Sequence, residues 1–271
     1  MATILVDNWH VRDIFRQMIA PNPQRGAQIR VLCISAQSGK GKSTVVDYLI
    51  EYCREQNVLP IRIDFDAFHI SDELELIDTV ISQFENVENA SLFPNYREAV
   101  ERLVLTSHSD TVIENVRLVN THIGTICVQK EDYTSKTKLQ YLENAFFQDL
   151  KRLAQSLKCK VVFFLDAYEC AEKEIQTWIQ NKLMLSNRLG LHILVVVASQ
   201  SDFTLSPGIK STYGIQNCYL PDTYEFDDWV EYGRQLHIQD TEIIERCYKY
   251  WKGDPFYMCI TLKPFANQEG K

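Results

Sequence analysis

Residues 30–49 read RVLCISAQSGKGKSTVVDYL, and this stretch decides the fold. Within it, residues 36–43 (AQSGKGKS) fit the phosphate-cradling pattern G-x-x-x-x-G-K-[ST], with alanine in place of the first glycine. An apolar run at residues 31–34 precedes the loop, as a strand would. Val45, Val46, Leu49, Ile50 and Cys53 follow it at helical spacing. The small residues Ser38, Gly39 and Gly41 let consecutive backbone N–H groups turn inward around a phosphate, at the positive end of the following helix. Ala36, Gln37, Ser38, Gly39, Lys40, Gly41, Lys42, Ser43 and Thr44 are therefore candidate nucleotide-binding residues. Lys42 would bring a point charge to the β- and γ-phosphates, and the Ser43 hydroxyl would ligate Mg²⁺.

The bulk properties are those of an ordinary soluble globular protein. A chain of 271 residues is long enough to bury a large α/β core. A net charge of −8 disfavours a generic nucleic-acid-binding surface, which needs clustered Lys and Arg. Eight cysteines at 33, 53, 127, 159, 170, 218, 247 and 259 are scattered singly without a C-x-x-C pair, which reads as reduced, buried thiols in a cytoplasmic protein. The N-terminal MATILVDNWHVRD carries acidic residues and no long apolar core, unlike a signal peptide. No apolar run reaches membrane-spanning length, so no membrane partner is expected. His10, His69, His108, His122, His192 and His237 are isolated, with no metal-ligand spacing.

Periodicity along the chain predicts a parallel α/β sheet. Val11, Ile14, Phe15, Met18 and Ile19 outline a lead-in helix, and Pro21 and Pro23 stop it. Residues 60–65 (PIRIDF) alternate as a second strand. Ser71, Asp72 and Glu73 open a helix faced by Leu74, Ile77, Val80, Ile81 and Phe84, and another helix covers residues 96–105. Residues 107–136 hold two short β-like runs and read as a hairpin-like insertion. Leu139, Leu142, Phe146, Leu150, Leu153 and Leu157 then mark a long helix leading into KVVFFLDAYE at 160–169.

That last segment has the form of a Walker B strand, buried on both faces with Asp166 at its carboxyl end, in reach of the Mg²⁺ shell. Glu169 lies just beyond the strand, where a carboxylate could orient or deprotonate an attacking water. Glu169 and Lys42 are the catalytic candidates; Ser43 and Asp166 are the metal candidates. A fourth strand, LHILVVVASQ, ends at Gln200, a polar sensor position near the γ-phosphate. From about residue 221 the pattern becomes helical to the end, with Gly253-Asp254-Pro255 closing one helix and opening the last. The expected organisation is an ATPase core over 1–220 and a helical lid over 221–271.

The ordered set AQSGKGKS, FFLDAYE, VVVASQ and a helical tail with GDP resembles the STAND signal-transduction ATPases, the AAA+-related class that includes NACHT and NB-ARC domains. The resemblance covers most of residues 11–265 and is strongest at the loop. It implies a P-loop NTPase three-layer core with a parallel sheet followed by a small helical lid, ATP and Mg²⁺ as cofactors, and an ATP-driven switch in signalling or conflict-type systems. It also implies that Pro255 approaches the nucleotide from the lid, and that an effector protein or self-association transmits the signal. Many relatives end the sensor strand in arginine where this chain has Gln200, which implies weak or regulated hydrolysis of ATP to ADP. Two alternatives stand beside this one. A P-loop kinase acting on a nucleoside-like acceptor is suggested by Asp64-Phe65-Asp66-Ala67-Phe68-His69 after the second strand. A nucleotide-bound interaction module that never hydrolyses is suggested by Gln200.

Overall fold

The computed structural model describes residues 8–20, 29–85, 92–107, 133–156, 160–185, 189, 192–204, 214–238 and 240–266. In chain order the elements are α1 (Trp9–Ile19), β1 (Ile29–Ser35), α2 (Lys42–Glu55), β2 (Leu59–Asp64), α3 (Glu73–Glu85), α4 (Pro94–Ser107) and α5 (Tyr133–Ser156). They continue as β3 (Val161–Asp166), α6 (Lys173–Trp178), β4 (Ile193–Ser199), β5 (Gly214–Tyr219), α7 (Phe226–Gln235), α8 (Thr241–Trp251) and α9 (Pro255–Leu262).

All strand pairings are parallel, and the sheet order is β2-β3-β4-β1-β5. β4 thus separates the loop-bearing strand β1 from the acid-bearing strand β3. The side-chain period of two sorts each strand between two cores. Val31, Cys33, Ile61, Ile63, Val161, Phe163, Leu165, Ile193, Val195 and Val197 face α3, α4, α5 and α6. Leu32, Ile34, Val162, Phe164, Leu194, Val196 and Ala198 face α1 and α2. Burial on both faces explains why β1, β3 and β4 read as unbroken apolar runs. The result is a three-layer α/β/α core of the P-loop NTPase type.

Local chemistry fixes the element ends. At the start of α3, Asp72 Oδ1 accepts from Glu75 N at 2.9 Å, while Glu75 Oε2 accepts from Ser71 N at 2.8 Å and Ser71 Oγ at 3.0 Å, a reciprocal cap of the kind expected for S/T/D-x-x-E sequences. Asp149 of α5 is fully buried and accepts from Tyr96 N at 2.9 Å and Asn95 Nδ2 at 2.7 Å. An anion so placed satisfies orphan donors and meets the positive end of α4.

β5 was not expected. Its sequence, GIQNCY, buries only Cys218, because an edge strand presents one side to solvent and lacks the apolar run of a central strand. The expected insertion at 107–136 lies outside the described residues except for its ends, where Ser107 closes α4 and Tyr133 opens α5. Among the described cysteines, Cys33, Cys53 and Cys218 are buried as expected, but Cys170 is exposed. Burial pushes the Cys33 thiol up to about 12, with Cys218 adding to the effect, so it is inert at neutral pH. Among the described residues, no helix is long and apolar enough to cross a membrane and no cluster of His, Cys, Asp and Glu could hold a metal by itself.

The tail α7–α9 has its own apolar cluster, built on Tyr224, Trp229, Tyr232, Leu236, Ile238, Ile244, Met258 and Leu262. Its tightest joint is Gly253, at φ +77°, where a Cβ would lie 2.1 Å from the Tyr224 carbonyl oxygen. Tyr224 N in turn donates to the Gly253 carbonyl at 3.1 Å. Gly253→Ala combines left-handed strain with a backbone clash, each worth about 1–3 kcal/mol. The expected result is a loss of about 3 kcal/mol in a denaturant melt, against a change near zero if the tail does not fold as a unit with this joint.

Candidate nucleotide site

The carboxyl ends of β1, β3 and β4 converge on an open cavity of about 470 Å³ lined by Ser38, Gly39, Gly41, Lys42, Ser43, Thr44, Asp66, Asp166, Ala167, Glu169, Cys170, Gln200 and Phe256. The crevice beyond the carboxyl ends of a parallel sheet is where α/β proteins bind ligands. The loop leaves β1 with Ala36 N donating to the Ser199 carbonyl at 3.2 Å, so β1 and β4 hold its start together. Gly39 and Gly41 take φ of +79° and +88°, which turn the loop and start α2 at Lys42.

Lys42 is 9% exposed and donates to the carbonyls of Ala36 at 2.7 Å and Gln37 at 3.0 Å, curling back over its own loop. Burial holds its pKa below the usual lysine value, opposed by the charges of Glu169 and Asp166. A cation so placed gains from a phosphate that restores its charge compensation.

Facing the loop, residues 162, 164 and 166 of β3 point to the α2 side, so the strand's period carries Asp166 toward Ser43. Asp166 is 2% exposed, and its Oδ1 accepts from Ser43 Oγ at 3.3 Å and from Ala167 N at 3.1 Å. Its other oxygen, Oδ2, accepts from Arg62 Nη2 at 2.6 Å. Ala167 adopts φ +50°, which turns the chain sharply after β3 and brings Glu169 to the cavity wall. Glu169 Oε2 accepts from Gln200 N at 3.1 Å, tying the acid to the end of β4.

A hydroxyl and a carboxylate within hydrogen-bond reach are hard oxygen donors suited to Mg²⁺ rather than to a soft metal. A loop turned by two glycines of positive φ at the start of a helix, with a buried lysine, suits a polyphosphate. The residues present therefore fit a Mg²⁺–nucleotide.

Nine of the expected site residues line this cavity or its rim: Ser38, Gly39, Gly41, Lys42, Ser43, Thr44, Asp166, Glu169 and Gln200. Four do not. Ala36 and Gln37 offer their carbonyls to Lys42 instead. Lys40 turns away to the tail, donating to Asp254 Oδ2 at 2.7 Å and to the Asp222 carbonyl at 2.9 Å. Pro255 is buried at the first turn of α9, its expected approach to the nucleotide taken by its neighbour Phe256, whose Cβ lies 3.4 Å from where a Cβ on Gly39 would be. Asp254 also caps α9, accepting from Phe256 N at 3.0 Å and Tyr257 N at 3.2 Å. Burial raises its carboxyl, but the Lys40 bond and these backbone donors outweigh that and hold it below the usual value.

Arg62 went unnoticed in the sequence. It sits on β2 opposite Phe164 and donates through Nη1 to Asp47 Oδ1 at 2.6 Å, while Nη2 lies 3.6 Å from Asp64 Oδ2. Burial, which disfavours the cation, is outweighed by Asp166, Asp47 and Asp64, so its pKa is raised. The signal was available: Arg62 and Asp64 share a strand face by alternation, and Ser43 and Asp47 share a helix face at i, i+4.

No family model matches the sequence, and no curated protein matches it. Among solved structures, the chain is similar to Cdc6p from Pyrobaculum aerophilum, with a TM-score of 0.46 and 12% identity over 82% of this chain and 46% of that one. It is also similar to PCH-2 of C. elegans, with a TM-score of 0.46 and 11% identity over 99% of this chain and 65% of that one. The chain thus spans less than two thirds of the length of either.

Proposed function

We propose that this protein is an ATP- and Mg²⁺-binding P-loop switch with slow hydrolysis, whose helical tail reads the state of the loop. The observation that carries this reading is the meeting of Ser43 Oγ and Asp166 Oδ1 at 3.3 Å, beside Lys42 and Glu169, across 123 residues of sequence. Two separately recognised motifs share one cavity, as nucleotide hydrolysis requires.

When bound, ATP supplies the γ-phosphate and Mg²⁺ offsets its charge. Lys42 turns from the Ala36 and Gln37 carbonyls toward phosphate oxygens. Ser43 and Asp166 would hold the metal. Glu169, fixed by Gln200 N, orients and deprotonates the attacking water. Gln200 brings no positive charge to the γ-phosphate, so stabilisation of the developing charge is weaker than with an arginine there, and turnover is slow.

Lys40–Asp254 and Phe256–Gly39 support a switch role, since any change in loop shape is felt directly at the start of α9. The tail, residues 221–271, acts as the lid. Output passes to an effector protein or to a second copy of the chain, as in STAND-class proteins.

The kinase alternative rests on residues 64–69, which follow β2. Within them Asp64 caps its own turn, accepting from Asp66 N at 3.1 Å and Ala67 N at 3.2 Å, and lies 3.6 Å from Arg62 Nη2, while Asp66 lines the cavity. Incubation with ATP radiolabelled at the γ position, with and without nucleosides, tests the assignment. The label is expected in inorganic phosphate alone; label on a nucleoside would make the protein a kinase.

A further inference from the structure

We propose that Arg62 is a resident cation at the metal side of the nucleotide site, holding the Asp166 oxygen that faces away from Ser43 and thereby keeping the affinity for a divalent ion low. The inference rests on the P-loop reading of the site.

The geometry gives both Asp166 oxygens hydrogen-bond partners before any metal arrives. Oδ1 takes the Ser43 hydroxyl and the Ala167 N–H, and Oδ2 takes Arg62 at 2.6 Å. Arg62 is anchored there from two further sides, by Asp47 on α2 at 2.6 Å and by Asp64 on its own strand at 3.6 Å. The guanidinium fork fits such multiple carboxylate contacts, which a lysine point charge would not reproduce. Arg62 Nε is buried without a hydrogen-bond partner among the described residues, so the group is positioned for its Nη contacts at the expense of Nε. Gln83 reinforces the placement, accepting from Arg62 N at 3.0 Å and donating to its carbonyl.

Two effects on metal binding compete. Hydrogen-bonded partners of a metal-ligating carboxylate orient it, and losing one ordinarily weakens the metal about 10–100-fold. A full positive charge sharing the carboxylate repels a divalent ion, and at a partly buried site this repulsion is poorly screened. Here orientation survives without Arg62. The Asp166 side chain is 4% exposed and Oδ1 keeps both of its donors. The charge effect therefore prevails, and Arg62 lowers metal affinity. A site built this way tolerates nucleotide without metal and admits Mg²⁺ only at raised concentration.

The test titrates Mn²⁺ into the full chain saturated with ADP, reading free Mn²⁺ by electron paramagnetic resonance, for wild type, Arg62→Gln and Arg62→Lys. Gln removes the charge, its amide nitrogen ending where the unbonded Nε lies, short of Asp166, and Lys keeps the charge. Arg62→Gln is expected to bind Mn²⁺ about tenfold more tightly than wild type, and Arg62→Lys within about threefold of it. Equal or weaker binding by Arg62→Gln would overturn the inference. A wild-type measurement stands independently of either variant's folding: ADP affinity is expected to fall less than about tenfold when EDTA replaces Mg²⁺, and a larger fall overturns the inference. If wild type takes up no ADP under either condition, the P-loop reading itself fails; if ADP binds and Mn²⁺ affinity is unmoved by Arg62→Gln, only the role of Arg62 fails.

Discussion

Lys42→Ala is expected to weaken ATP binding about a hundredfold while leaving the protein folded. The ammonium group lies beneath the loop with two carbonyl acceptors, and burial already disfavours its charge. Removing it from the free protein therefore deletes two hydrogen bonds and one poorly solvated cation together. These effects oppose one another, so the melting midpoint should move little. In the complex the balance differs. A charge-assisted hydrogen bond to phosphate is worth about 1.5–3 kcal/mol, and each 1.4 kcal/mol is tenfold in affinity. Calorimetric titration of ATP into both proteins, paired with a thermal melt, measures the two quantities separately. Unchanged ATP affinity in a folded Lys42→Ala protein would remove the loop from the binding site.

Glu169→Gln should separate binding from turnover. The side chain holds Gln200 N through Oε2 at 3.1 Å, an acceptor role that an amide oxygen can retain. The cavity wall should keep its shape, and ATP affinity should stay within about threefold, since no contact of the loop is touched. What the amide cannot do is take a proton from water. General-base assistance contributes about 10²–10⁴ to a rate, so phosphate release in a single turnover should fall at least about a hundredfold. A rate equal to wild type would assign water activation elsewhere. Asp66, exposed on the same cavity, would then be the next carboxylate to test.

The parts of the molecule that were legible in the sequence are those where one local rule dominates. The loop, its flanking strand and helix, and the β3 acid are all short motifs set in buried apolar runs, and burial on both faces leaves no polar residue to confuse the pattern. The helix start at Asp72 was readable for the same reason, as a small acid ahead of helical periodicity. β5 was not legible, because five of its six residues are not buried and its strand identity comes from pairing with β1. Pro255 was expected at the nucleotide, yet the capping geometry of Asp254 buries the proline and turns Phe256 outward beside Gly39. Lys40 was read as one more loop residue, since nothing local shows that Asp254, 214 positions away, will meet it. Arg62 escaped because a charged residue in an alternating strand ordinarily faces solvent. The register of β2 against β3, which pairs Asp64 with Asp166, then sets that face beside Asp166.

The central claim, that the cavity beneath residues 36–43 holds an adenine nucleotide, is tested most directly by denaturing the freshly purified full chain and chromatographing what it releases, alongside equilibrium dialysis of the nucleotide-free protein against ATP. The account predicts ADP or ATP carried through purification or, after stripping, saturable uptake of ATP that is weakened about a hundredfold in Lys42→Ala. A protein that carries no nucleotide and takes up none from solution would contradict it.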